Sequence, residues 1–175
     1  MASQAHTAGD GLAREAHAAV EEYAPGEERP LGSYVLLSGA FGAALTGALA
    51  VAKRSGRELD RPGALDIALA GLATQKVSRL LAKDKVTSFL RAPFTRFEEP
   101  SGHGELSEEP RGSGMRYAVG ELLVCPYCLA QWVAGGFAVG WVYAPRTTRL
   151  LAAMWAAESV ADAAQIAYSA AEQRS

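Results

Sequence analysis

The chain has 175 residues, enough for one ordinary domain and too few for two. A net charge of −2 gives no global basic field, so nucleic acid is not an expected partner. Two cysteines three apart cannot staple a secreted disulfide scaffold. The mean hydropathy is near zero, but it averages polar stretches (1–30 and 95–118) with long apolar ones.

Residues 1–30 are rich in Ala and Glu and read as a polar N-terminal arm, with Ala13–Tyr23 a candidate short helix. They lack a basic segment followed by an apolar run, so a cleavable signal peptide is not expected. Leu31 to Ala52 then runs 22 residues without a charge. At about 1.5 Å per residue this covers a hydrocarbon core of about 30 Å, and a transmembrane helix is expected over 31–53. Gly39, Ala43 and Gly47 carry the spacing that lets helices approach closely in lipid.

Arg61-Pro62-Gly63 opens a second helix, expected over 62–83. Lys76, Arg79 and Lys83 fall within about 60° on one of its faces. Residues 86–97, with Arg91, Arg96 and three phenylalanines, form an amphipathic segment. It suits an anionic membrane surface or the cover of a protein core. Residues 98–114, with two Glu-Glu-Pro triplets and scattered glycine, read as a polar loop.

Leu122 to Pro145 is again 24 residues without a charge, with Trp141 and Tyr143 placed for the far interface. A transmembrane helix is expected over 121–144. The last helix, 149–171, carries Glu158, Asp162 and Gln165 on one face. Mid-helix carboxylates are costly in lipid, so Glu158 or Asp162 is expected to pair with Lys76 or Arg79. The expected fold class is therefore all-α, a polytopic helical membrane protein with three to four transmembrane helices. Residues 62–171 form its main domain. Residues 83–120 hold six basic residues, against four in 53–61 and two in 146–149. The positive-inside rule then puts that segment and both termini in the cytoplasm.

The tetrapeptide Cys125-Pro126-Tyr127-Cys128 shares its letters with glutaredoxin active sites. In that fold it ends a strand and opens a helix within a βαβ unit, and no such unit follows here. Three readings stay open for Cys125 and Cys128. They are packing residues at a helix start, a redox pair, or part of a metal site. Zinc in a structural site takes four ligands, which a dimer could supply, or His103 folding back in a monomer. His6 and His17 in the arm are expected to be solvated. No phosphate loop, zincin motif or serine elbow is present, so no catalytic residue is assigned.

Two stretches, KVSRLLAKDKVTSFLRAPF (76–94) and GSGMRYAVGELLVCPYCLAQW (112–132), stand in the right order around a variable polar loop. Together they resemble a bacterial family of small membrane proteins, domain of unknown function 1360 (DUF1360). The shared pattern is Arg79-Leu80, Asp84-Lys85, Arg91 with Pro93-Phe94, then Gly120-Glu121-Leu122, the paired cysteines and Trp132. Tyr127 and Gln131 depart from it, and the span 31–52 lies outside it. The resemblance implies an integral protein of the bacterial inner membrane, found partly in spore formers, with no established activity. The leading expectation is a structural or interaction component, with the bilayer, a homodimer mate or another membrane protein as partner. A thiol–disulfide redox protein and a metal-binding module are the alternatives. Arg79, Asp84 and Arg91 are expected to pack near the helix entrance at Glu121–Cys128.

Overall fold

The computed structural model describes residue 23, residues 29–57 and residues 61–174; most of the expected N-terminal arm, with His6 and His17, lies outside them. The described chain is mostly helical. Helix α1 spans Leu31–Arg54 and α2 spans Ala64–Lys83. A 3-10 turn, Lys85–Thr87, leads into the single turn α3, Ser88–Arg91. Strands β1 (Thr95–Pro100) and β2 (Leu106–Pro110) follow, then α4 (Gly114–Val124), α5 (Pro126–Tyr143) and α6 (Pro145–Glu172).

Helix α2 is the hub and packs chiefly on α6 and α5. Its buried residues are small, Ala70, Ala73, Ser78 and Ala82, and so are those of α6, Thr148, Ala152 and Ala156. Such residues gain little from side-chain size and much from close backbone approach. Polar pairs run along the same seam. Arg149 grips Asp66 at 2.9 and 3.2 Å, Ser159 donates to Gln75 at 2.8 Å, and Lys76 Nζ lies 2.6 Å from Asp162 and 4.0 Å from Glu158. The order of these pairs makes α2 and α6 parallel. Helix α1 pairs with α5 in the same sense, through Phe41–Trp132 and Tyr143–Ala48, and its start meets α4 through Tyr34–Glu121. The start of α1, the hairpin and the start of α5 therefore share one end of the bundle with the ends of α2 and α6.

Proline begins both α5 and α6 at the position where a missing N–H is harmless. The expected third helix is two helices, α4 and α5, which break at Cys125 and turn by 84°. Residues 115–120, left between the expected loop and helix, belong to α4, which begins at Gly114.

The larger correction concerns residues 95–110. Where an amphipathic helix end and an open loop were expected, an antiparallel hairpin forms, so the mostly helical fold also carries a two-stranded sheet. Its register pairs Thr95 with Pro110 and Phe97 with Glu108, then slips at Glu98 before Glu99 meets Ser107. Glu and Pro are poor strand formers, so local preference did not announce it. Cross-strand pairs hold it instead: Arg96–Glu109 at 3.1 Å and Ser107–Glu98 at 2.9 Å. Its tip returns to the end of α2, where the Lys85 N–H donates to the Gly104 carbonyl at 2.9 Å.

Among the described residues, one helix, α1, is long and apolar enough to cross a membrane, and the bent pair α4–α5 makes a second if it is one span. Three to four spans were expected. Helix α2 carries Asp66, Lys76, Arg79 and Lys83, and α6 carries Arg146, Arg149, Glu158 and Asp162. Those charges keep both outside the composition of a lipid-spanning helix.

Candidate functional site

Two constellations lie at the shared end of the bundle. The first is a knot around Arg91, whose side chain is 0% exposed. Its guanidinium donates to Glu108, itself 5% exposed, and to the Leu81 carbonyl at 2.8 Å, the Thr87 hydroxyl at 2.9 Å and the Asp84 carbonyl at 3.1 Å. It thus satisfies two carbonyls at the end of α2, which a helix terminus otherwise leaves open. The Arg91 carbonyl in turn accepts from Thr95 at 3.0 Å. Arg111 and Arg116 close the turn by donating to the carbonyls of Ala92 (2.8 Å) and Pro93 (2.7 Å).

Arg91 therefore faces inward and is not presented to a membrane surface. Arg79 binds Glu105 through two bonds, 2.6 and 2.9 Å, so the hairpin takes it and Lys76 alone meets α6. Asp84, half-buried beside them, has its carboxyl held above the ordinary range by desolvation.

The second constellation is a cleft of about 720 Å³ between α1, α4 and the first turns of α5. Cys125 and Cys128 line it and are joined as a disulfide, their Cα atoms 5.3 Å apart. Cys125 is the N-cap of α5, and its sulfur accepts the Cys128 N–H at 3.2 Å. Glu121 reaches into the same cleft, where Tyr34 donates a hydrogen bond to it and Arg29 lies 3.5 Å away. Phe41 and Trp132 meet edge to face there, centroids 5.2 Å apart. Phe41 fits because residue 135 is glycine: a Cβ there would stand 2.8 Å from its ring.

The two constellations touch through Gly120. A Cβ at Gly120 would lie 2.6 Å from the Phe94 carbonyl and 3.1 Å from Pro110, so α4 sits directly on the hairpin. The link between the two constellations is thus Gly120 against Phe94 and Pro110, and not Arg79, Asp84 or Arg91, which were expected at the helix entrance. Glu121 itself, one residue on, turns away to Tyr34.

Sequence reasoning missed Glu105, Glu108, Tyr34 and Phe41. The two glutamates sat in a stretch read as loop, and the two aromatics in a helix read only for its length. His103 lies in the hairpin turn, exposed and with positive φ. Among the described residues, no group of three or more metal-capable side chains forms. Trp141, expected at an interface, has its indole nitrogen buried without a partner, while the Tyr143 hydroxyl donates to Ala48 at 2.8 Å.

The profile of the family described as "Protein of unknown function (DUF1360)" matches residues 69–168. The chain belongs to the DUF1360 family. It is similar to UPF0713 protein YngL of Bacillus subtilis (strain 168), 29% identical over 91 residues, or 50% of this chain and 66% of that protein. It is also similar to sporulation protein YjcA of the same strain, 36% identical over 74 residues, or 41% of this chain and 63% of that protein. The chain thus spans just under two thirds of the length of these relatives. No solved structure matches it. Every residue of the knot falls within the DUF1360 region, whereas the cleft takes Tyr34 and Phe41 from α1, and Arg29 just before it, outside that region.

Proposed function

We propose that this DUF1360 protein is an integral component of the bacterial inner membrane whose Cys125/Cys128 pair cycles between dithiol and disulfide. The observation that carries this reading is the placement of both cysteines on the wall of a cleft, bridged, in the first turn of α5. The helix N-terminus and the Cys128 N–H favour negative charge on the Cys125 sulfur, as an attacking or leaving thiolate requires. Glu121 would oppose that charge if it stood alone. Its own charge is offset by Tyr34 and Arg29. Membrane residence is supported by α1, apolar along its length with only Ala52 buried, and by the apolar stretch of α4–α5. A metal at this site would need ligands from outside the cleft, so zinc is no part of the proposal.

The test is the redox state of the pair in living cells. Rapid acid quenching followed by a mass-adding maleimide is expected to give two populations, with the oxidised one growing under diamide. Finding both thiols alkylated under every condition, diamide included, would overturn the proposal.

A second reading, a structural or interaction component of the membrane, is favoured by the exposed apolar residues Val160, Ile166 and Tyr168 near the end of α6. It predicts a homodimer or a larger assembly in mild detergent. A monomer that carries its thiols through oxidation and reduction unassisted would argue against it.

A further inference from the structure

We infer that the cleft beside the disulfide binds a lipid-soluble quinone and passes it the two electrons of the Cys125/Cys128 dithiol. The inference rests on the thiol–disulfide reading above and adds the identity of the electron acceptor.

Three observations converge. The cleft lies between α1 and the α4–α5 pair, the two parts of the molecule apolar enough for lipid. A ligand reaching it along that boundary comes from the bilayer, which selects apolar molecules over thiol peptides or glutathione. Its walls combine aliphatic and aromatic surface, Leu37, Phe41 and Trp132, with a few polar groups, the composition of a small-molecule site. Its volume, about 720 Å³, suits a single ring system with part of a tail. Finally, the sulfurs stand in the wall, while Tyr34 and Glu121 supply hydrogen-bonding and proton-carrying groups within the same cavity.

The chemistry balances without another reactant. Two S–H bonds break and one S–S bond forms. Two electrons pass to the quinone and two protons end on its oxygens, giving the hydroquinone. A thiolate at Cys125 attacks the ring or its carbonyl carbon, and Cys128 then displaces the reduced ring as it closes the disulfide. Glu121 lies where a proton released from the pair can be held.

A further point follows from the source of the walls. Tyr34, Leu37 and Phe41 belong to α1, outside the DUF1360 region. Helix α1 is therefore the element that fits the family's cysteine motif to this ligand.

The test uses the full chain purified in detergent, pre-reduced and freed of reductant under anaerobic conditions, with decylubiquinone and menadione as probes. Equimolar quinone reduction, followed by absorbance, is expected together with loss of two titratable thiols. Cys125→Ser should abolish reduction while leaving quinone-dependent quenching of tryptophan fluorescence. Leu37→Trp, which fills the cleft, should weaken quinone binding at least tenfold, and the parent protein's reaction with diamide serves as the control for the thiols. That diamide control also separates the two claims. Thiols that cycle with diamide but reduce neither quinone would overturn this inference and leave the redox reading standing. Thiols inert to both would overturn the redox reading itself. Equal quenching in Leu37→Trp and the parent protein would show partition into detergent only, and would overturn the site. Oxidation by glutathione disulfide, with no reaction with either quinone, would assign a soluble thiol partner instead.

Discussion

The Arg91 knot and the cysteine cleft lie side by side and differ in almost every physical respect. The knot is charged, closed and fully hydrogen-bonded, and its members all come from residues 81–116. The cleft is mainly apolar and open, and its walls come from helices about ninety residues apart in sequence. A buried ion pair seldom adds net stability over a well-packed apolar pair, but removing one partner is severe. The knot is therefore a device for holding one arrangement of α2, the hairpin and α4. The cleft opens beside the cysteine pair and is lined by apolar as well as polar side chains. One region fixes geometry, and the other uses it.

That contrast can be broken by mutation, beginning where the effect is largest. Arg91→Ala strands a buried Glu108, and a loss of about 3–5 kcal/mol is expected, measured as a fall in unfolding midpoint in detergent. A change no larger than that of a surface residue would show that the knot is not closed. Gly120→Ala forces α4 away from the Phe94 carbonyl, with an expected cost of about 1–3 kcal/mol. Because this glycine joins the two regions, the variant should also alter the rate at which a maleimide labels the reduced cysteines. Lys76→Ala removes one of the polar links between α2 and α6, for a loss of about 1 kcal/mol, since Asp162 is well exposed. Cysteine labelling should stay at the parent rate; a changed rate would mean that this seam positions the cleft as well.

Tyr34→Phe belongs to the cleft, and its cost should not exceed about 1 kcal/mol, that of one hydrogen bond. Its main effect should be on the rate of disulfide reduction by dithiothreitol. Global unfolding of that variant would make the cleft a structural element too. The smallest effect is electrostatic and belongs to Asp84. Its carboxyl is raised in the folded protein, so the native state holds that proton more tightly than the unfolded chain does. Its contribution to stability is greatest at low pH and is lost as pH rises through the raised value. Asp84→Asn should therefore gain a few tenths of a kcal/mol at neutral pH, after solvent screening, and the gain should vanish toward pH 4.

The helices were legible because length and charge-free runs report them directly: 31–53 against Leu31–Arg54, and 62–83 against Ala64–Lys83. The stripe of Lys76 with Glu158 and Asp162 was legible for the same reason, since helical spacing puts such residues on one face. The hairpin was not. Thr95-Arg-Phe-Glu-Glu-Pro has neither alternating apolar residues nor strand-forming composition, and it pairs because Arg91, Arg79 and Arg96 each have a glutamate waiting on or beside β2. Tertiary ion pairing decided that segment, and local propensity could not report it. The cleft was half legible. Cys125 and Cys128 stood out as a motif, but nothing in residues 31–41 marked Tyr34 or Phe41, because a uniformly apolar helix hides which of its faces is used.

The short span of the knot has a consequence for biosynthesis. Arg91 bonds to residues 10 before it and 17 after it in the chain. The whole ring can thus close as soon as residue 116 has emerged from the ribosome, before Cys125 has emerged. Contacts so local form early. The newborn chain would then carry a finished clasp at the end of α2, and α4 would land on it through Gly120 while α5 is still inside the ribosome. The cysteine pair would be delivered last, onto a seat already set.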